Sequence, residues 1–141
     1  MTATTPSTVL AFDVGERRIG VAVANGVARI AAPLTTLANE GDIAATIAQL
    51  VHDQQASALV LGLPRGLDGQ ETAQTRLIRQ FGEHIRGVVG VPLYWQDEAV
   101  TSAQAEAELK HRGKPYVKAD IDALSATYIL EDYLRDNPGE F

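Results

Sequence analysis

The sequence predicts one α/β domain over residues 9–136, in which a mixed five-stranded sheet is flanked by helices. Three short apolar segments come first, and two more follow, separated from one another by amphipathic helical patterns. Strands without intervening helices pair as an antiparallel meander, whereas strands separated by helices become parallel neighbours through right-handed crossovers. A chain of 141 residues with 45% apolar content is long enough to bury such a core.

The predicted meander consists of Val9–Val14, Ile19–Ala24 and Ala28–Ala32. Asn25-Gly26 is typical of a two-residue hairpin turn, because both residue types tolerate positive φ. Pro33 is expected to end the third strand, because proline has no N–H to donate to a neighbouring strand. In the first strand, period-two alternation places Val9, Ala11 and Asp13 on one face of the sheet.

The later elements follow from helical periodicity and turn residues. They are a helix that begins after Asp42, a strand at Ala58–Leu61, a loop at 62–69, a helix at 71–86, a strand at 91–96, a helix capped by Thr101 and Gln104, and a final helix at 120–136.

Composition narrows the function classes. Residues 1–8 and 137–141 are expected to be short tails, and the first of them has no basic segment typical of a secretory signal. No apolar window approaches the ~18 residues of a membrane span. The absence of cysteine is compatible with a cytoplasmic protein. The net charge of −6 argues against a broadly basic nucleic-acid binder, so phosphate contacts would need a local basic cluster.

Three acidic residues occupy positions that predict a shared site. Asp13 interrupts a buried strand, Glu98 follows the last strand, and Asp122 lies at the edge of the apolar stripe of the final helix. Asp120 falls on the polar side of the same helix. A buried carboxylate costs several kcal/mol unless it is paired or bound to a cation. Three carboxylates without histidine favour Mg²⁺ or Mn²⁺ over zinc, so we predict a site for such a cation.

Each acidic residue also has a purely structural interpretation. Asp13 could cap the turn near Gly15, and Glu98 could end a strand at the surface. Asp122 could complement the dipole of its helix. The metal-site hypothesis therefore depends on the fold bringing all three together.

Basic residues near these positions are candidate phosphate contacts. Tyr116 lies among them and could stack on a base, although a solvated charged loop explains the segment equally well. The candidates are Arg17, Arg18, Arg65, Lys110, Arg112, Lys114 and Lys118.

Four segments, in order, resemble one known family. They are residues 13–22 (DVGERRIGVA), 62–69 (GLPRGLDG), 97–102 (DEAVTS) and 122–126 (DALSA). Together they are similar to the YqgF family, also called RuvX, whose members are named as Holliday junction resolvases or as pre-16S rRNA nucleases. The resemblance spans roughly Val9 to Leu134.

The resemblance implies a ribonuclease H-like fold, and the predicted order of strands and helices agrees with that fold. It also implies the activity of a metal-dependent nuclease. Asp13, Glu98 and Asp122 would be catalytic and metal-binding, and Asp97 would support them or the substrate. The chain has Ala99 where the family usually has arginine, and Ser125 where alanine is usual.

Several functions stay open on sequence alone. Maturation of the 5′ end of pre-16S rRNA is favoured by the family resemblance, and resolution of four-way DNA junctions is the alternative. A homodimer would suit two coordinated cuts. An actin- or hexokinase-like phosphate-binding module would need a second such domain, and a non-catalytic RNA-binding relative would retain the fold without cleavage.

Overall fold

The computed structural model describes residues 7–66, 68–98 and 102–139, which form five strands and four helices. In chain order these are β1 (Thr8–Val14), β2 (Arg18–Asn25), β3 (Ala32–Ala38), α1 (Ile43–Gln54), β4 (Ala56–Pro64), α2 (Ala73–Val89), β5 (Leu93–Glu98), α3 (Ser102–Arg112) and α4 (Lys118–Asp136).

One mixed sheet with the strand order β3-β2-β1-β4-β5 organises these elements. The β1–β2 and β2–β3 pairs are antiparallel, whereas the β1–β4 and β4–β5 pairs are parallel. The predicted meander with parallel additions is therefore confirmed. β1 lies at the centre of the sheet, so a polar residue near its end has neighbours on both sides.

The two faces of the sheet bury different cores. Leu10 and Phe12 of β1 are fully buried with residues of α1 and α2. Val9 and Ala11 point to the other face and pack with Ala126 and other residues of α4. The predicted alternation along β1 is thus correct, and it directs Asp13 toward the α4 face.

α4 lies directly on β2 because Gly20 has no side chain. A Cβ atom at Gly20 would collide with the backbone carbonyl of Asp122. The helix is also tied down at both ends. The Thr36 hydroxyl donates to the Ala119 carbonyl at 2.7 Å, and the Arg29 guanidinium donates to the Leu134 carbonyl at 3.0 Å. These contacts fix the position of Asp122 over the sheet.

The predicted third strand is wrong. Residues 28–31 belong to the connection after β2, and β3 begins at Ala32 and includes Pro33. The Asn25 side chain accepts hydrogen bonds from the amides of Val27 and Ala28, and Arg29 adopts a positive φ of 53°. This longer turn replaces the two-residue hairpin. Pro33 is tolerated because β3 is an edge strand with a register shift opposite it.

Both parallel strands near the predicted site run further than the sequence indicates. β4 continues through Gly62 to Pro64, and β5 continues through Glu98, which pairs with Pro64. Turn-forming residue types suggested a loop at 62–64, but the ladder between the two strands outweighs that local preference.

The helix predictions differ from the structure mainly at their ends. α1 begins after Asp42, whose carboxylate accepts from the Ala45 amide as predicted. α2 is shifted by two or three residues, and α4 begins at Lys118. Some predictions concern residues outside the described part of the chain. These are Thr101 of the predicted capping box, residues 1–6 of the first tail and residues 140–141 of the second. Thr8 belongs to β1 and not to a tail. No described helix combines the length and the apolar character needed to cross a membrane.

Replacing Gly20 with alanine should destabilise the fold. The added methyl group would force α4 away from β2, so we expect the Gly20→Ala variant to lose about 1–3 kcal/mol of unfolding free energy in urea denaturation. Gly87 of α2 is a matched control, because nothing lies near its hypothetical Cβ. Gly87→Ala should be neutral or stabilising by up to about 1 kcal/mol. Equal stability of the two variants would contradict the proposed α4–β2 contact.

Candidate active site

Asp13 lies near the end of the central strand between two glycines. Its antiparallel partner on β2 is Gly20. On β4, Leu61 is the partner of Phe12, so Gly62 follows one step further, beside Asp13. Neither neighbour has a side chain that could cover the carboxylate or neutralise it. The space above Asp13 is therefore left to groups from α4 and β5.

Glu98 fills the space on the β4 side. A Cβ atom at Gly62 would lie 3.0 Å from Glu98 Oε2 and 2.5 Å from Ile129 Cδ1. The Glu98 carboxylate therefore reaches across Gly62 from the edge strand β5 toward β1. Its position at the end of the parallel strand β5 agrees with the prediction, and the glycine explains how it reaches the centre of the sheet.

Asp122 lies on the other side of Asp13, above Gly20. Its carboxylate accepts a hydrogen bond from Arg18 Nε at 2.5 Å, an ion pair that is only partly exposed. Asp120 is exposed and accepts from the Val117 amide, so it caps α4. The predicted difference between the two acidic residues is confirmed, and Arg18 contacts a carboxylate of the site.

The three acidic residues are close enough to influence one another. Burial raises the pKa of Asp13 to about 6, and the charge of Asp122 contributes to this increase. Burial also raises the pKa of Glu98 to about 8, with the charge of Asp13 as the second cause. Both carboxylates are thus in a desolvated place without enough positive charge. This is the electrostatic environment that a bound cation would relieve.

The donor set fits a hard divalent cation, but the side chains are not gathered around one point. Among residues 7–66, 68–98 and 102–139, no group of three or more His, Asp or Glu side chains lies close enough to hold a metal ion. Of the three carboxylates, that of Asp122 is paired with the guanidinium of Arg18. Asp13, Glu98 and Asp122 offer carboxylate oxygens only, which suits Mg²⁺ or Mn²⁺. His52, His84 and His111 are exposed and belong to other segments.

Asp97 points away from this site. Alternation along β5 places Glu98 on the α4 face and Asp97 on the α2 face of the sheet. There the Asp97 carboxylate accepts from Arg65 Nε at 3.0 Å. The structure therefore groups Asp97 with Arg65, on the side of the sheet opposite the three other acidic residues.

The remaining predicted contacts lie outside the acidic group. Arg17 is exposed beside it, and Arg112 is paired with Glu108 of its own helix. Tyr116 is half-buried against the Leu109 and Leu124 cluster, beside a pocket of about 260 Å³ that Arg112 and Lys114 also line. The Tyr116 ring therefore packs against this cluster and is partly accessible to solvent. Lys110, Lys114 and Lys118 are exposed on α3, the connection and the start of α4.

Sequence reasoning missed the roles of Gly20 and Gly62. Both were visible as glycines inside apolar strand patterns, which is a known sign of close approach by another group. Ala99 lies outside the described residues. The Ser125 hydroxyl is buried and has no hydrogen-bond partner among the described residues. Such a hydroxyl costs about 1–3 kcal/mol, which is consistent with the alanine usual at this position.

The raised pKa of Glu98 predicts that the free energy of unfolding of the metal-free protein depends on pH. The unfolded chain releases the Glu98 proton near its ordinary value of 4.5, whereas the folded chain holds it to about pH 8. Between these values the folded state binds more protons, so its stability falls as pH rises. Glu98→Gln removes this effect. Its stability relative to wild type should rise from pH 5 to 8, by on the order of 2 kcal/mol.

Urea unfolding in EDTA at several pH values measures this difference. Glu40→Gln is the control, because Glu40 is exposed and distant in sequence from the site residues. A Glu98→Gln difference that stays constant with pH would contradict the buried, charge-poor environment of Glu98.

Known proteins resemble this chain over nearly its whole length. The profile described as "RuvX: Holliday junction resolvase" matches residues 7–136. A protein of Chloroflexus aurantiacus named "Putative pre-16S rRNA nuclease" is 43% identical over 137 residues. The match covers 92% of this chain and 90% of that protein. A protein of Dechloromonas aromatica with the same name is 42% identical over 132 residues, with coverage of 91% and 90%.

Solved structures show the same fold at low sequence identity. Thermus thermophilus RuvC, in complex with Holliday junction substrate, superposes with a TM-score of 0.58 at 20% identity, covering 92% of this chain and 96% of its own. The fowlpox virus Holliday junction resolvase has a TM-score of 0.54 at 10% identity, with 92% and 98% covered. These similarities establish the ribonuclease H-like fold expected from the element order. Together with the profile match and the curated relatives, they show that this chain belongs to the RuvX family.

Proposed function

We propose that this protein is a metal-dependent endonuclease that hydrolyses phosphodiester bonds in structured RNA, at the 5′ end of pre-16S ribosomal RNA. The observation that carries this proposal is the juxtaposition of Asp13, Glu98 and Asp122 at one end of the sheet, where burial raises the pKa of the first two. Uncompensated carboxylates at the carboxyl ends of parallel strands are suited to hold cations and a phosphate.

Each acidic residue has a separate task in this proposal. Asp13 is central and would contact both cations, while Glu98 and Asp122 would each complete one ligand set. When bound, the two ions would supply activation of water and stabilisation of the leaving oxygen. Gly20 and Gly62 let α4 and the Glu98 side chain lie close to the sheet, which places Asp122 and Glu98 on either side of Asp13.

Arg18 would compete with a bound cation for the Asp122 carboxylate. The guanidinium forms a short ion pair with it, in a position where positive charge opposes a second cation. Once displaced, Arg18 would be available to a phosphate oxygen, with which guanidinium pairs well. The residue would therefore exchange a carboxylate partner for a substrate partner.

Replacing Arg18 should tighten metal binding. We expect Arg18→Gln to lower the Kd for Mn²⁺ about three- to tenfold in isothermal titration calorimetry, because the competing ion pair is lost. Arg17→Gln is the matched control, since Arg17 is adjacent and exposed. Unchanged or weaker Mn²⁺ binding by Arg18→Gln would contradict the exchange, and weaker binding would assign Arg18 to holding Asp122 in its binding position.

Removing the Asp13 charge should abolish cleavage and leave the fold intact. The assay compares wild type and Asp13→Asn in Mn²⁺ and in EDTA, with equimolar precursor-like structured RNA and a four-way DNA junction. RNA cleavage that is lost in EDTA and falls by at least about 10³-fold in Asp13→Asn is the expected result. Full activity of Asp13→Asn would exclude the carboxylate mechanism.

The same assay separates the remaining functions. Holliday junction resolution is the second candidate, favoured by the description of the matched family. It would appear as paired symmetric nicks in the junction alone, from a homodimer. RNA binding without cleavage would indicate a binding protein, and stabilisation by a nucleotide would indicate an actin- or hexokinase-like module. The homodimer and the cytoplasmic location stay predictions.

A further inference from the structure

Three arginines form a positively charged surface at the start of α2. Arg65 follows β4, and Arg76 and Arg79 lie three residues apart on the helix, so both project on the same side of it. We refer to Arg65, Arg76 and Arg79 as the α2 arginine surface. Sequence analysis identified Arg65 only, because Arg76 and Arg79 fall in a helix without an obvious motif.

Described contacts hold these arginines around two acidic side chains. Arg79 Nε donates to Glu71 Oε1 at 2.5 Å, and Arg65 Nε donates to Asp97 Oδ1 at 3.0 Å. The Arg79 hydrogen bond lowers the pKa of Glu71, and the nearby charges of Arg65 and Arg76 add to this effect. The three arginines are therefore close together around Glu71.

The side chain with the greatest freedom is Arg76. It is exposed, and within the described residues it makes no ion pair. The other two arginines are in partly exposed ion pairs, which contribute little to stability because solvent screens them. A phosphate could replace a carboxylate at either arginine at little cost. The guanidinium of Arg79 also lies over the Trp95 ring, 5.6 Å from its centre, which limits its range of orientations.

This surface adjoins the candidate active site across the end of the sheet. Pro64 pairs with Glu98 in the β4–β5 ladder, and Arg65 comes directly after it. The Thr75 hydroxyl donates to the Pro64 carbonyl at 2.5 Å, which attaches the first turn of α2 to the same strand end. Glu98 faces α4 and Asp97 faces α2, so one extended ligand could contact both faces at the β5 end.

We propose that the α2 arginine surface binds the phosphate backbone of the substrate beside the cleavage position. This inference rests on the proposed nuclease function and adds a binding surface to it. A chain with a net charge of −6 has no overall attraction for a polyanion, so local positive charge beside the site would assist binding. Guanidinium groups suit this task because they donate two hydrogen bonds to one phosphate.

The basic residues of the 110–118 segment are the competing surface. There, Arg112 is paired with Glu108, and the segment runs from the end of α3 to Lys118, which begins α4 one turn before Asp122. The site residue nearest to it in sequence is thus Asp122, which is already paired with Arg18. The α2 arginine surface is attached to the strand ends that carry Glu98, and we therefore assign the backbone contact to it.

The test measures nucleic-acid binding as a function of salt in the uncleaving Asp13→Asn protein with Mg²⁺. Fluorescence anisotropy follows binding of precursor-like structured RNA and, separately, of a four-way DNA junction. Arg76→Gln in this background should weaken binding about fivefold and reduce the slope of log K against log salt by about 1. Arg86→Gln is the matched control. Its backbone lies about 15 Å along α2 from that of Arg76. Its guanidinium is paired with Glu83, donates to the Leu93 carbonyl at the start of β5 and lies 5.9 Å from the centre of the Trp95 ring.

The outcomes separate this inference from the proposed function. Loss of affinity and slope in Arg76→Gln alone supports the α2 arginine surface, and the ligand affected distinguishes RNA from DNA. A third variant, Lys114→Gln, tests the competing segment 110–118. Unchanged binding by Arg76→Gln overturns the inference, whatever the result for Lys114→Gln, while the nuclease function stands. Binding of neither ligand by the parent protein overturns both. Thermal unfolding of each variant shows whether a loss of binding reflects a loss of fold.

Discussion

The close approach of α4 to Gly20 is the contact on which the rest of the candidate site depends. The backbone of Asp122 occupies the place where any larger residue would put its Cβ atom. Because Gly20 is the strand partner of Asp13, this contact brings the start of α4 next to the central carboxylate. On the other side of Asp13, the absence of a side chain at Gly62 leaves room for the Glu98 carboxylate. The two glycines thus allow the start of α4 and the Glu98 carboxylate to lie close to the strand that carries Asp13.

The electrostatics of this space explain why the site favours a cation. Asp13 and Glu98 are partly buried, the charge of Asp122 opposes ionisation of Asp13, and the charge of Asp13 opposes ionisation of Glu98. Among the described contacts, the cation beside these residues is Arg18, which is paired with Asp122. Such an arrangement reduces the stability of the metal-free fold and would be selected for function. The ion pair of Arg18 also keeps one carboxylate partly neutralised. In the proposed mechanism, this ion pair would persist until a divalent cation competes for Asp122.

Strand alternation divides the end of β5 into two surfaces. Glu98 faces α4 with the other acidic residues, while Asp97 faces α2 and pairs with Arg65. Consecutive residues therefore belong to different surfaces, one acidic and one rich in arginine. A polyanion that crosses the strand end would meet the arginines on one side and the carboxylates on the other. Under the proposed function, this division would separate binding of the substrate from its cleavage.

The sequence by itself determined the element order, the mixed sheet, the face of β1 that carries Asp13 and the inward position of Asp122. These follow from periodicities of two and 3.6 residues, which are local properties of the chain. Tertiary structure decided the start of β3, because pairing with β2 at the edge of the sheet, with a register shift near Pro33, replaced the pairing expected from a two-residue hairpin. It also decided the pairing of Arg18 with Asp122, 104 residues apart, and the separation of Asp97 from Glu98. Such contacts depend on how helices and strands pack, and no local pattern encodes them.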